Sequence, residues 1–162
     1  MAEDLKSAIE KGDLEAVSAL LEKGISVNEM LESEFTPLIT ATNSGHFDIV
    51  KKLIESGADV NAKCERDITA LKAASAHGDI ETVKLLLENS ADLNAAGGTL
   101  PAILIAASNG HINLVKFMLE KGAKINLKDE REYEAVMNAA HNGHLEVVKL
   151  LMQTEGNQSK KK

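Results

Sequence analysis

The chain has 162 residues, with 18 Lys and Arg against 25 Asp and Glu, a formal charge of −7 and a pI near 5.3. An acidic chain without a basic stripe is excluded as a binder built on phosphate contacts, which need clustered cations, so no nucleic-acid partner is expected. Hydrophobic residues reach 44% but aromatic ones only 2%, with no Trp, which leaves a core of close-packed Leu, Ile, Val and Ala.

Cys64 is the only cysteine, so no intrachain disulfide can form and a reducing compartment is expected. No segment approaches the ~18–20 apolar residues of a membrane span, and the opening MAEDLKSAIEKGD is charged and amphipathic, without the apolar region of a signal peptide. No membrane partner is expected, and the compartment is read as cytoplasmic, with the nucleus as the other choice.

Taken in chain order, the sequence restates one unit. Gly recurs at 12, 45, 78, 110 and 143, at spacings of 33, 33, 32 and 33, and Asn recurs at 28, 61, 94 and 126, at 33, 33 and 32. Both series shorten at the same place, so one residue is missing from the loop near Ala95–Leu100. Two markers sharing a period and a deletion identify a repeat.

Residues 3–30 read as a shortened N-terminal unit. The fullest copy is 36–63, TPLITATNSGHFDIVKKLIESGADVNAK. Its first helix is small and apolar (Leu38–Ser44) and stops at Gly45, a residue that takes the left-handed conformation readily. A second helix follows at once, with Ile49, Val50, Leu53 and Ile54 at helical spacing. Later units repeat the plan in Leu71–His77, Ile103–Asn109 and Val136–Asn142, each containing a pair of small residues. Asp13 and Asp79 are N-cap residues for the second helices, and His46, His111 and His144 share that slot. Helices of ~8–10 residues do not persist alone, so each pair must bury its face against the next.

Thr36-Pro37-Leu38, Ala41, Gly45-His46, Val50, Leu53-Ile54 and Gly57-Ala58-Asp59-Val60-Asn61-Ala62 resemble the ankyrin repeat. The resemblance runs over about residues 3–153. It implies an all-α ankyrin-repeat solenoid of stacked helix-turn-helix units joined by β-hairpin-like loops, in a single domain 1–153. The repeats are 3–30, 31–63, 64–96, 97–128 and 129–153, with a flexible polar tail at 154–162. Departures are Thr69-Ala70-Leu71-Lys72, Pro101-Ala102-Ile103-Leu104 and Glu134-Ala135-Val136-Met137 in place of the opening motif. The side-chain hydrogen bonds of that motif are accordingly expected to be missing or altered in the later repeats. Ser90 stands at a helix-ending Gly position, at a cost of about 1 kcal/mol if left-handed.

No catalytic constellation appears, and no enzyme activity, metal or cofactor is expected. The shared slot of His46, His111 and His144 points to framework, and His141 and His144 straddle Gly143, which is not the same-face spacing of a helical metal pair. Gly97-Gly98 reads as a short turn at the deletion, and Cys64 as a structural thiol in a loop. Asn61 and Asn94 resemble targets of the asparaginyl hydroxylase that modifies ankyrin repeats, though the same Asn also holds the turn.

The resemblance implies binding of another protein through a concave groove. Its hairpin row is Phe35, Ile68, Leu100 and Tyr133, a large apolar residue just before each first helix. Around it lie Glu32, Glu34, Glu65, Asp67, Glu130, Glu132 and Glu134, with Arg66 and Arg131 among them. The groove floor falls to the ends of the first helices, including Asn43, His77, Asn109 and His141. The alternative function is direct inhibition of an enzyme such as a protein kinase. Those inhibitors of the family have an irregular second repeat, whereas 36–63 is the most regular here. Helix 145–152 keeps an internal apolar pattern that exposes Val148 and Met152. Either the stack continues in a longer parent, or this face docks onto something, including a second copy.

Overall fold

A computed structural model describes residues 2–31, 34–95, 97 and 99–159. Among them are ten helices and no strand. They fall into two units, Met1–Ala74 with Glu81–Asp92, and Ser75–Ile80 with Leu93–Lys162.

The first unit holds α1 (Ala2–Glu10), α2 (Leu14–Glu22), α3 (Pro37–Asn43) and α4 (Phe47–Glu55), with most of α5 (Ala70–His77) and α6 (Ile80–Glu88). Capping explains why such short segments stay helical. Asp13 accepts the Ala16 N–H at 2.9 Å, and Thr36 Oγ1 accepts that of Ile39 at 3.2 Å ahead of Pro37, whose fixed φ suits the first turn. Each helix then stops at a left-handed residue: Gly12, Gly24, Gly45 and Gly57 all have φ between 72 and 90. Ser90 adopts the same conformation at φ 69, as its place in the repeat requires. Within the unit α1 packs on α2 and α3, and α4 on α2 and α3, sealing Leu5, Ile9, Val17, Leu38, Val50 and Leu53.

Side-chain amides fix the spacing between turns. Asn28 donates to the Gly57 carbonyl at 3.1 Å and accepts the Asp59 N–H at 2.8 Å, and Asn61 repeats this on Ser90 and Asp92 at 3.0 and 2.8 Å. One amide thus satisfies a carbonyl and an N–H of the next turn together.

The second unit holds α7 (Ala102–Ser108), α8 (Ile112–Glu120), α9 (Glu130–His141) and α10 (Leu145–Ser159). α7 packs on α8 and α9, and α10 on α8 and α9, over Ile103, Leu104, Leu114, Val115 and Met118. Asn94 supplies the same rung, to Gly122 and Lys124 at 3.2 and 2.8 Å.

Three expectations are corrected. The last first-helix begins at Glu130, not Val136, because Asp129 caps it by accepting the N–H groups of Arg131 and Glu132. α10 runs to Ser159, where the sequence reading ends it before a tail at 154. Position 155 continues the series Gly24, Gly57, Ser90, Gly122, but Glu155 lies inside α10 and makes no left-handed stop. The Glu155 carboxylate instead accepts the Leu127 N–H at 3.2 Å, and Thr154 bonds back to the Leu150 carbonyl. Finally, His46 and His111 do not cap their helices. Their Nε2 atoms reach back to the carbonyls of Glu10 and Ala76, at 3.2 and 3.0 Å. Each ring so placed lies against a glycine, and a Cβ on Gly12 or Gly78 would meet it at 2.8 or 2.6 Å.

Glu32, Gly98 and the lysine run 160–162 lie outside the described residues.

Candidate protein-binding surfaces

In the first unit, two loops of one design carry the expected anchors. Leu31 N–H donates to the Phe35 carbonyl at 2.9 Å and Cys64 N–H to that of Ile68 at 3.1 Å. Inside each, Glu34 (φ 62) and Asp67 (φ 58) are left-handed and donate their N–H back to Leu31 and Cys64. Phe35 and Ile68 are half-buried, and Arg66 at the tip is exposed. The row therefore has two jobs: its carbonyls close the loops and its side chains stand partly in solvent. Cys64 is buried at the base of the second loop, as a structural thiol should be.

The second loop is pinned by a residue that pattern reading passed over. Lys72 is 4% exposed. Its Nζ donates to the Asp67 carbonyl at 3.0 Å and lies 3.6 Å from Oδ2 of the same residue, while Lys63 Nζ approaches Oδ1 at 2.9 Å. An ammonium so buried persists only with a partner, and this one holds a left-handed Asp in place. The signal was positional: Lys72 stands where the adjacent units have Ile39 and Leu104, both sealed. Thr69 also keeps the cap expected to be lost, accepting the Lys72 N–H at 3.2 Å, whereas Pro101 at the same slot offers no side-chain cap.

In the second unit, Leu100 and Arg131 come together around a cleft of about 140 Å³, with Thr99, Pro101, Asp129 and Glu132. Leu100 is half-buried and Arg131 is exposed, 3.9 Å from Asp129. Tyr133 does not join them as a hairpin residue. It lies one turn inside α9 and is 47% exposed. The negative rim affects Glu132. Burial pushes its carboxyl above the usual range, Asp129 and Glu155 push the same way, and the 2.6 Å hydrogen bond from Asn126 N–H opposes them.

The expected groove-floor residues are all exposed at the ends of first helices: Asn43 in the first unit, His77, Asn109 and His141 in the second. Asn109 spends its amide on the Ile105 carbonyl at 2.9 Å. Sequence reasoning missed a second apolar position, the first residue of the second helices. Leu14 and Phe47 of the first unit and Leu145 of the second are 37%, 39% and 59% exposed. Asn61 and Asn94 are exposed, with both amide atoms committed to their rungs.

Among the described residues no group of three or more His, Cys, Asp or Glu is arranged to hold a metal, and no helix is long and apolar enough to cross a membrane. A family model for ankyrin repeats, in three copies, matches residues 5–97 and 103–162. No curated protein matches the chain.

Proposed function

The chain belongs to the ankyrin-repeat family, whose members are generally protein–protein interaction modules, and on that premise we propose that it is a non-enzymatic scaffold holding one partner protein. The loops 31–35 and 64–68 carry this reading. Loop 64–68 is locked by its own hydrogen bonds and a left-handed residue, the described residues Leu31, Glu34 and Phe35 make the same bonds, and Phe35 and Ile68 stand half out of the surface. A loop already held in one conformation, as 64–68 is, loses little freedom on binding, and half-exposed apolar groups act as anchors. The complementary partner has an apolar stripe flanked by basic charge, and it is met in the cytoplasm or nucleus.

The test is a pull-down from native extract with wild type and a Phe35→Ala/Ile68→Ala/Leu100→Ala variant, followed by affinity measurement on the protein retained. A loss of about tenfold or more is expected, since anchor truncations cost above ~1 kcal/mol each. Unchanged affinity in a folded variant refutes the reading. Tyr133→Ala, tested separately, reports whether α9 takes part.

A further inference from the structure

We infer that the outer face of α9 and α10 is a self-association surface that seats the same face of a second copy of this chain. The inference does not rest on the loops 31–35 and 64–68.

The repeat register shows that this face is a stacking face left open. At one slot of the first helix the units hold Ile39, Lys72 and Leu104, at 1%, 4% and 0% exposure; the last unit holds Met137 there, 46% exposed. At one slot of the second helix stand Val17, Val50, Val83 and Val115, none more than 1% exposed, while Val148 is only half-buried. Within the second unit, what seals Leu104 and Val115 is a helix pair, since α9 packs on α7 and α10 on α8. Tyr133 and Met137 lie one turn apart on α9, and Leu145, Val148 and Met152 follow helical spacing on α10, so each helix contributes a stripe. The open face thus has the shape that receives a helix pair.

Two observations select a second copy. First, the matching face of the N-terminal pair is reduced and charged. Asp4 stands where later units have the buried Pro37, Ala70, Ala102 and Ala135, and Ala16 stands where they have Ile49, Thr82, Leu114 and Val147. That makes head-to-tail stacking unfavourable and leaves the apolar face to meet itself. Second, the rim is mixed in sign. Exposed Glu130 and Glu134 on α9 and exposed Lys149 on α10 are opposed when a two-fold axis lays α9 of one copy over α10 of its partner.

Tyr133, Met137, Leu145 and Met152 are each about half exposed, at 46% to 59%. A patch of this kind suits a weak, reversible dimer with a Kd in the micromolar range.

Sedimentation equilibrium on the full chain, from about 5 to 500 µM, brackets that constant. Wild type is expected to reach a dimer and stop. Met137→Glu/Met152→Glu is expected to weaken the dimer at least about tenfold, because it buries unpaired charge at the centre of the contact, with an unchanged far-UV spectrum. If that variant misfolds, Tyr133→Asp, at an exposed position, serves the same purpose. Asp4→Arg is expected to leave the Kd unchanged. A wild-type monomer throughout the range overturns the inference, as does undiminished association of the folded Glu or Asp variants. Growth beyond a dimer that Asp4→Arg abolishes also overturns it, in favour of head-to-tail contact.

Discussion

Replacing Ser90 by Gly should stabilise the protein. Ser90 has φ 69, while Gly24, Gly57 and Gly122 hold the same place in their units at 87, 90 and 90. The bonds of this turn are all made by backbone groups. Ser90 N–H donates to Leu87, Ala91 N–H donates to Leu86, and the Ser90 carbonyl accepts from Asn61. They survive removal of the side chain. Nothing lies within 4 Å of a Cβ built on Gly24, Gly57 or Gly122, so a side chain at this place packs against nothing. What remains is the strain of an L-residue in the left-handed region, about 1–2 kcal/mol, reduced by the extra freedom Gly gains in the unfolded chain, about 0.4–1 kcal/mol. The net gain is about 0.5–1 kcal/mol. With a urea slope of about 2 kcal/mol/M the midpoint should rise by about 0.3–0.5 M at unchanged slope. Gly57→Ser should lower it by a similar amount. An unchanged or lower midpoint for Ser90→Gly, beside a harmless Gly57→Ser, would show that the turn and not the residue is the flexible part, and the strain argument would fail.

Two further outcomes are open to measurement. Gly110→Ala should destabilise more than Gly45→Ala, although both are left-handed at φ 76 and 72. A Cβ on Gly110 meets the His144 ring at 2.5 Å, whereas none lies within 4 Å of Gly45. Backbone strain is common to both, so the difference in thermal midpoint isolates the ring contact, at about 1–3 kcal/mol for overpacking. Glu132 binds its proton more tightly folded than unfolded, because burial raises its carboxyl above its ordinary value of 4.5. Its contribution to stability is therefore greatest at low pH and declines as pH rises from that value through the raised one. Glu132→Gln should flatten that part of the stability–pH curve in urea melts; an identical slope in wild type and variant would refute the assignment.

Much of the fold was legible because its constraints are local. The Gly series marks the left-handed stops, the Asn series marks the rungs, and Ser90 is left-handed because its position demands it. The misreadings arose where local chemistry competes with the period. Asp129 followed by Glu130 and Glu132 is a helix start in its own right, and it draws Tyr133 out of the hairpin row into α9. His46 and His111 occupy a capping slot, yet an imidazole reaches the carbonyl of the preceding pair more readily than an N–H of its own first turn. Lys72 escaped notice because residue type suggests solvent, whereas its register with Ile39 and Leu104 places it in the interior. Of the candidate surface, the loop positions could be read from spacing; the exposed first residues of the second helices could not, since Leu14, Phe47 and Leu145 look like ordinary core residues in the periodic pattern.

The replacement of a turn by Glu155 also bears on how such a chain can be lengthened. A unit duplicated between Asn28 and Asn61 would inherit an amide rung at both junctions, because the turns at Gly57 and Ser90 offer the carbonyl and N–H that the rung needs. A unit grafted after Leu151 would meet a helix that keeps going, with a carboxylate already bonded to Leu127 where the carbonyl should be. Insertional tolerance is therefore polar along the sequence. Copying is structurally inexpensive in the first unit, and after α10 it first requires restoring a left-handed residue at position 155.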